Sequence, residues 1–257
     1  MSIKFTILGC GYSLGVPRID GNFGKCDPKN IKNHRTRCSA LISTNTKNIL
    51  IDTSPDLRSQ LIKNNVKTID KIFYTHAHAD QTHGINDLRV FYLKQKKRIN
   101  VYADILTKNY LLNSFRYCFK VTSEYPPILK MNSLKKKHFF KINKKKMEFE
   151  SVAVEHGNID SISYIINKKC AYASDVSKIY KKDLYKFCNL KYFVVDCLRY
   201  KPHYSHFHLQ EILDLIKIIK PKKTILTNLN NEMDYSNLKK KLPSNVIPAY
   251  DGMTFLV

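Results

Sequence analysis

Several things are scarce in this sequence, and each scarcity excludes something. No apolar run approaches the roughly 18 residues that a helical membrane span needs, so no membrane partner is expected. Cysteine is present seven times but never as a CxxC pair. An odd count of scattered cysteines, with no secretory leader ahead of the strand-like N-terminal segment, predicts free thiols and a cytoplasmic setting. No stretch rich in Gly, Ser or Pro divides the chain, so the expectation is one domain spanning residues 1–257. Wholesale disorder is excluded by a composition of 43% hydrophobic and 25% charged residues, an ordinary globular profile.

Acidic residues are also scarce. There are 21 of them against 44 Lys and Arg, a formal net charge of +23. A polyanionic partner is one reading. A composition rich in Lys, Ile and Asn is the other, and it is preferred because the basic residues are spread along the chain. The densest basic run, residues 135–146, reads as a solvated loop with two Phe inside it. With no Arg-rich tail and no recognisable motif, nucleic acid is not the favoured partner. A basic surface would instead draw a small phosphorylated substrate. A homodimer is compatible with the sequence.

Strand-like runs are frequent and short. They fall at residues 4–8, 39–43, 48–53, 71–75, 100–103, 147–155, 161–166, 171–173, 192–195, 224–227 and 253–257. Helical spacing appears at 55–64, after Ser54 as a cap and Pro55 in the first turn, and at 106–119, 178–187, 209–219 and 235–242. Pro221 stops the fourth of these. Alternating strands and helices in two similar halves predict an α/β fold: a four-layer αββα sandwich, two mixed sheets packed face to face with helices outside.

The strongest chemical signal is Thr75-His76-Ala-His78-Ala-Asp80-Gln81-Thr-His83-Gly84, directly after a strand. At a strand end the chain turns, and alternate side chains can converge on one point. Two imidazoles and a carboxylate suit zinc, manganese or iron. A solitary histidine would more often be a satisfied polar residue. Two with an Asp within five residues point to a metal.

These residues resemble the pattern His-x-His-x-Asp-His of the metallo-β-lactamase superfamily. The resemblance implies ligands at His76, His78 and Asp80, a further His at His156 and a bridging Asp at Asp175. It implies a supporting role for Asp52 in the segment Asn48-Ile-Leu-Ile-Asp52. The stretches Gly9-Cys-Gly-Tyr-Ser-Leu-Gly-Val-Pro-Arg18, Gly84-Ile-Asn-Asp-Leu-Arg89 and Ala249-Tyr-Asp-Gly-Met resemble the branch of phosphoribosyl 1,2-cyclic phosphate phosphodiesterase. That branch implies a dinuclear site and, in some members, a structural zinc held by clustered cysteines.

Two positions depart from the pattern. Gln81 stands where a third histidine belongs, and Asn228 where the final one belongs. Both missing histidines serve the same metal position. The expectation is therefore one firm zinc or manganese site at His76, His78, His156 and Asp175. A second site, at Asp80, Asp175, Gln81 and Asn228, would be weak, harder in character or empty. His83 is read as a substrate or supporting residue rather than a replacement ligand.

In the group His203-Tyr-Ser-His206-Phe-His208, the resemblance implies a histidine that touches substrate or protonates the leaving group; His206, whose spacing from the following helix matches that pattern, is the one taken, with Asp80 orienting or deprotonating the water. One of the three histidines could instead cap the helix. Gly11, Ser13 and Gly15 are candidates for an anion cradle. Arg18 and Arg89 are the arginines favoured for gripping phosphate. Cys10, Cys26 and Cys38 are weighed as ligands of a structural metal, with free thiols preferred.

The function expected is hydrolysis of a small phosphodiester, cyclic ones included, by a metal-bound hydroxide whose pKa is lowered toward ~7. Alternatives on the same fold are a carbonyl-ester, thioester or lactone hydrolase, an RNA nuclease, or a non-catalytic metal-binding protein of cofactor biosynthesis.

Overall fold

The computed structural model describes residues 3–121, 125–142 and 145–257. The first half begins with β1 (Lys4–Gly9), β2 (Ser39–Ser43) and β3 (Asn48–Ile51). There follow α1 (Leu57–Lys63), β4 (Lys71–Phe73), the short helix α2 (Ala79–Thr82) and α3 (Arg89–Gln95). It continues through β5 (Ile99–Ala103), α4 (Ile105–Ser114), α5 (Arg116–Phe119) and β6 (Leu129–Ser133). The second half holds β7 (Lys137–Ile142), β8 (Lys145–His156), β9 (Ile159–Ile166), β10 (Cys170–Ala173) and β11 (Tyr192–Asp196). It ends with α6 (Leu209–Ile219), β12 (Lys223–Thr227), α7 (Tyr235–Lys241), β13 (Val246–Pro248) and β14 (Met253–Leu256).

The strands form two seven-stranded mixed sheets, in the orders β14-β1-β2-β3-β4-β5-β6 and β13-β12-β11-β10-β9-β8-β7. The expected αββα sandwich is the fold. Three apolar clusters hold its four layers together. One fills the space between the sheets, where Phe5, Ile42, Phe73, Phe149, Tyr164 and Tyr172 meet. Outside the first sheet, Leu57, Leu61, Phe91 and Leu111 pack helices onto its outer face. Outside the second, α6 buries Ile212, Ile216 and Ile219, a spacing of four and three that keeps one face inward. Truncating such a buried isoleucine to alanine costs about 2–5 kcal/mol.

Most expected elements stand within a residue or two of their sequence bounds, and α6 matches its range. Four expectations are corrected. The helix read at 106–119 breaks at Phe115, whose backbone leaves helical geometry (φ −123°, ψ 38°). The helix read at 178–187 is a 3-10 turn, Lys181–Phe187. Ser54 does not cap α1 as a helix N-cap, although its hydroxyl accepts from Asp56 N at 3.0 Å. The basic run at 135–146 is no loop: β7 pairs antiparallel with β8. His138 is buried while Phe139 is exposed, the alternation of a strand with one face covered. Residues 143 and 144 of that run lie outside the described residues.

The topology gathers polar strand ends. Strands β10, β11, β12 and β13 run parallel, as do β3, β4, β5 and β6. Their carboxyl ends, with the end of β8, carry the residues taken up next.

Candidate metal-centred active site

The loop after β4 carries His76, His78 and Asp80, and its shape is fixed from below. Asp52, just past β3, accepts from Thr75 N at 2.8 Å and from Thr75 Oγ1 at 2.9 Å. The Thr75 hydroxyl then meets His76 Nδ1 at 3.0 Å. Because that hydroxyl gives its hydrogen to Asp52, it accepts from the ring, and His76 Nε2 keeps its lone pair. Gly84 closes the loop against the chain before α1. Its N–H donates to Thr53 O at 2.9 Å, and a Cβ there would meet Ser54 O at 2.0 Å.

His156, at the end of β8, follows the same rule. Its Nδ1 donates to the Ser205 carbonyl at 2.6 Å, which leaves Nε2 free. His76 Nε2 and His78 Nδ1 lie 2.9 Å apart, close enough to share one ion at metal–nitrogen bonds of about 2 Å. His76, His78 and His156 bring ligand nitrogens within 4.8 Å of one another, and so do His156, Asp175 and His206 with their ligand atoms. Burial pushes His76 down to about 3, and burial also lowers His156. Both are therefore neutral imidazoles with lone pairs to give. The donor set fits a divalent ion.

Asp175 follows β10. Burial alone would raise its carboxyl, but His76, His156 and His206 outweigh it and hold the group below the usual range. Asp80 goes the other way, up to about 7, through burial and the neighbouring Asp175 charge. Between these two carboxylates stands Gln81, fully buried. Its Nε2 donates to Asp175 Oδ2 at 3.0 Å and Asp80 Oδ2 at 3.3 Å. Asn228 Nδ2 donates to the other oxygen, Asp175 Oδ1, at 3.2 Å and lies 3.2 Å from His206 Nδ1. Asn228 follows β12 at φ +58°, a left-handed backbone that Asn adopts more readily than most residues.

His206 Nδ1 donates to Asp196 Oδ2 at 2.6 Å. Asp196 ends β11, is fully buried, and also accepts from Val176 N at 3.0 Å. Burial opposes a charge on His206, yet Asp196, helped by Asp175 and Asp80, raises it to about 9. Burial raises Asp196 itself to about 7. Asp196 is the clearest residue that sequence reasoning missed. Its signal was a lone carboxylate at the end of the apolar run Tyr-Phe-Val-Val.

These groups open into a cavity of about 400 Å³, floored by His78, Asp80, His156, Asp175, His206 and Asn228. Ser13 and Tyr12 line it, as do His203 and Tyr204 of the histidine group, and Arg199 and Asn230, which sequence reasoning passed over. The loop carrying Tyr12 and Ser13 is pinned by Asp251, which accepts from Cys10 N at 3.0 Å and Thr36 N at 2.7 Å.

Three residues read as substrate contacts stand elsewhere, and none lines this cavity. Arg89 lies over the Tyr125 ring at 4.2 Å, beside a separate cavity of about 160 Å³. Arg18 pairs with exposed Asp20. His83 Nε2 meets Tyr110 Oη at 3.0 Å, because α2 has turned it away from the ion-holding side. Nor do the cysteines gather. Cys10 Sγ donates to Asp251 Oδ1 at 3.4 Å, Cys26 neighbours Arg35, and Cys38 neighbours Thr227. Among the described residues no cysteine belongs to a metal-competent cluster. His208 goes to the start of α6, where its N–H donates to Glu211 Oε2 at 3.0 Å.

A model of the beta-lactamase superfamily domain matches residues 47–227, a span that takes in Asp52 and closes at the end of β12. The chain belongs to the β-lactamase superfamily. A Porphyromonas gingivalis (strain ATCC BAA-308 / W83) protein named octanoyltransferase is 28% identical over 260 residues, covering 99% of this chain and 52% of its own. The chain thus spans about half the length of the curated relative it matches. A diphosphatase of the PhnP family superposes with a TM-score of 0.90 at 28% identity, over 100% of this chain and 98% of that one. Zinc-bound PqqB from Methylobacterium extorquens superposes with a TM-score of 0.75 at 15% identity, over 98% and 99%; it shares the fold. The superfamily, the diphosphatase likeness and the His/Asp clusters support a metal-dependent hydrolase. No helix among the described residues is long and apolar enough to cross a membrane.

Proposed function

We propose that this superfamily member hydrolyses a small phosphoester, a phosphodiester or a diphosphate, using one divalent ion. His76, His78, His156 and Asp175 would hold the ion. A set with three imidazoles favours zinc, with manganese the other candidate. The ion supplies a water activated near neutral pH and positive charge for the phosphoryl oxygens.

The rest falls to the chain itself. Asp80, raised to about 7, takes a proton from the attacking water at near-neutral pH. Gln81 steadies Asp80 and Asp175 together by donating to both. His206, charged beside Asp196, gives its proton to the departing oxygen. The observation that carries this reading is that one cavity joins a histidine cluster able to hold an ion to a His206 bonded to the buried Asp196 carboxylate. The likeness to a diphosphatase at 28% identity supports phosphorus as the centre attacked.

The test is hydrolysis of bis-p-nitrophenyl phosphate and of a diphosphate diester by protein loaded with zinc or manganese. Turnover should be lost in His78→Ala, in Asp175→Ala and after chelation. Undiminished turnover in metal-free protein would reject the reading. The relative named octanoyltransferase favours a second reading, hydrolysis of an acyl thioester or ester in the same cavity. Turnover of an octanoyl thioester but of neither phosphoester would select it.

A further inference from the structure

The segment 203–206 is held from several directions, yet one of its side chains is left standing in solvent. The Ser205 carbonyl accepts from His156, and His206 is bound to Asp196. His203 Nδ1 lies 3.3 Å from Ser205 N, which donates to it. The segment also sits directly on Gly157, the residue after His156. Gly157 has φ +61°, and a Cβ there would meet Ser205 Cβ at 2.8 Å and Tyr204 Cε2 at 3.1 Å. The close seating requires glycine.

Tyr204 is the exception within this rigid segment. Its side chain is 77% exposed, it lines the cavity, and its hydroxyl has no hydrogen-bond partner among the described residues. The His203 ring stacks behind it, with centroids 4.9 Å apart and planes at 28°. A large ring on a pinned backbone, backed by His203, edged by Gly157 and otherwise exposed, is a preorganised stacking surface. Such a surface binds a flat partner at little entropic cost. Its place is informative too. Tyr204 is two residues from His206, the group that faces the departing oxygen.

We infer that Tyr204 is a specificity-determining residue on which the leaving group stacks, and that the leaving group therefore carries a flat aromatic ring, as a nucleoside does. This rests on the phosphoester reading above. Sugar phosphates without a base would occupy the same phosphate position without using Tyr204. The residue acts on binding and takes no part in bond breaking.

The experiment is calorimetric binding of three probes to the metal-loaded protein: AMP, ribose 5-phosphate and inorganic phosphate. AMP should bind about 5- to 150-fold more tightly than ribose 5-phosphate, the range that stacking of one base on an aromatic side chain gives. Tyr204→Ala should bring AMP to the level of ribose 5-phosphate, leaving ribose 5-phosphate and phosphate unchanged. Tyr204→Phe, which keeps the ring, should keep the preference. Equal binding of AMP and ribose 5-phosphate by the unaltered protein would overturn the inference, as would a preference that survives Tyr204→Ala. If none of the three binds, the phosphoester reading falls, and this inference with it.

Discussion

On one side of Asp175 the chain presents ring nitrogens, and on the other it presents amide hydrogens. The two sides are built alike, from loops at the carboxyl ends of strands, and they differ in what they offer a cation. His76 and His156 have their Nδ1 atoms occupied by Thr75 and Ser205, so their remaining nitrogens are lone-pair donors. Gln81 and Asn228 turn their NH2 groups to the carboxylates. A carboxylate cluster without a cation is costly to bury, and these amides supply the compensating hydrogens. To accept an ion, both amides would have to reverse and present oxygen instead. Where an imidazole is missing, a side-chain amide can give a buried carboxylate pair some of the hydrogens it needs.

The most damaging way to break the comparison is to remove a nitrogen. His156→Ala should drop metal content from one ion per chain toward none. Hydrolysis should fall by about a thousandfold or more, given the several kcal/mol that a metal ion contributes to such reactions. Elemental analysis beside kinetics checks both.

Next comes the proton donor. His206→Ala should slow hydrolysis by about 10²–10⁴-fold, the usual worth of general acid catalysis, while leaving the ion bound. The pH profile separates the roles. Activity should rise as pH climbs through about 7, where Asp80 loses its proton. It should fall through about 9, where His206 loses the one it must give. In His206→Ala the alkaline fall should vanish. A profile that keeps it would assign that limb to another group.

A gentler perturbation leaves every ion-facing group in place. Asp52→Asn disturbs the chain of bonds from Asp52 through Thr75 to His76. Metal affinity should weaken by about 10- to 100-fold, as for other groups that orient ligating histidines. The smallest change in magnitude sharpens the contrast most. Gln81→His with Asn228→His restores imidazoles on the amide side, and histidine tolerates the left-handed backbone at 228. Metal content should double, from one ion per chain to two. Two ions in the unaltered protein would dissolve the comparison.

The sequence carried most of the fold because buried strands announce themselves as short apolar runs. It hid the elements whose pattern is diluted. In β7, lysines flank the buried His138 and the half-buried Phe140, so the run looks solvated when read as composition and strand-like only when read by alternation. In β13, three residues follow close behind a proline. The site was legible where chemistry is contiguous in the chain, as at His76, His78 and Asp80. It was illegible where a role belongs to a pair. Asp196 means little until His206, ten residues later, is folded against it. Arg89 and His83 show the opposite error. They neighbour the histidine motif in sequence, but α2 and the turn after it carry them to a different surface. The direction of the amides at 81 and 228 was also beyond reach, because only their carboxylate neighbours decide it.

β1 and β14 are neighbours, with Lys4 opposite Leu256 and Val257 N donating to Ile3 O at 2.9 Å. Ile3 and Val257 therefore lie side by side, at the opposite end of β1 from Cys10 and the cavity loop it leads into. A short linker could join them, and the polar turn between β2 and β3 offers a place to open the chain anew. Such a circular permutant should keep its ion and its cavity. A cargo led off Ile3 or Val257 would leave from the same corner, a strand's length away from the chemistry.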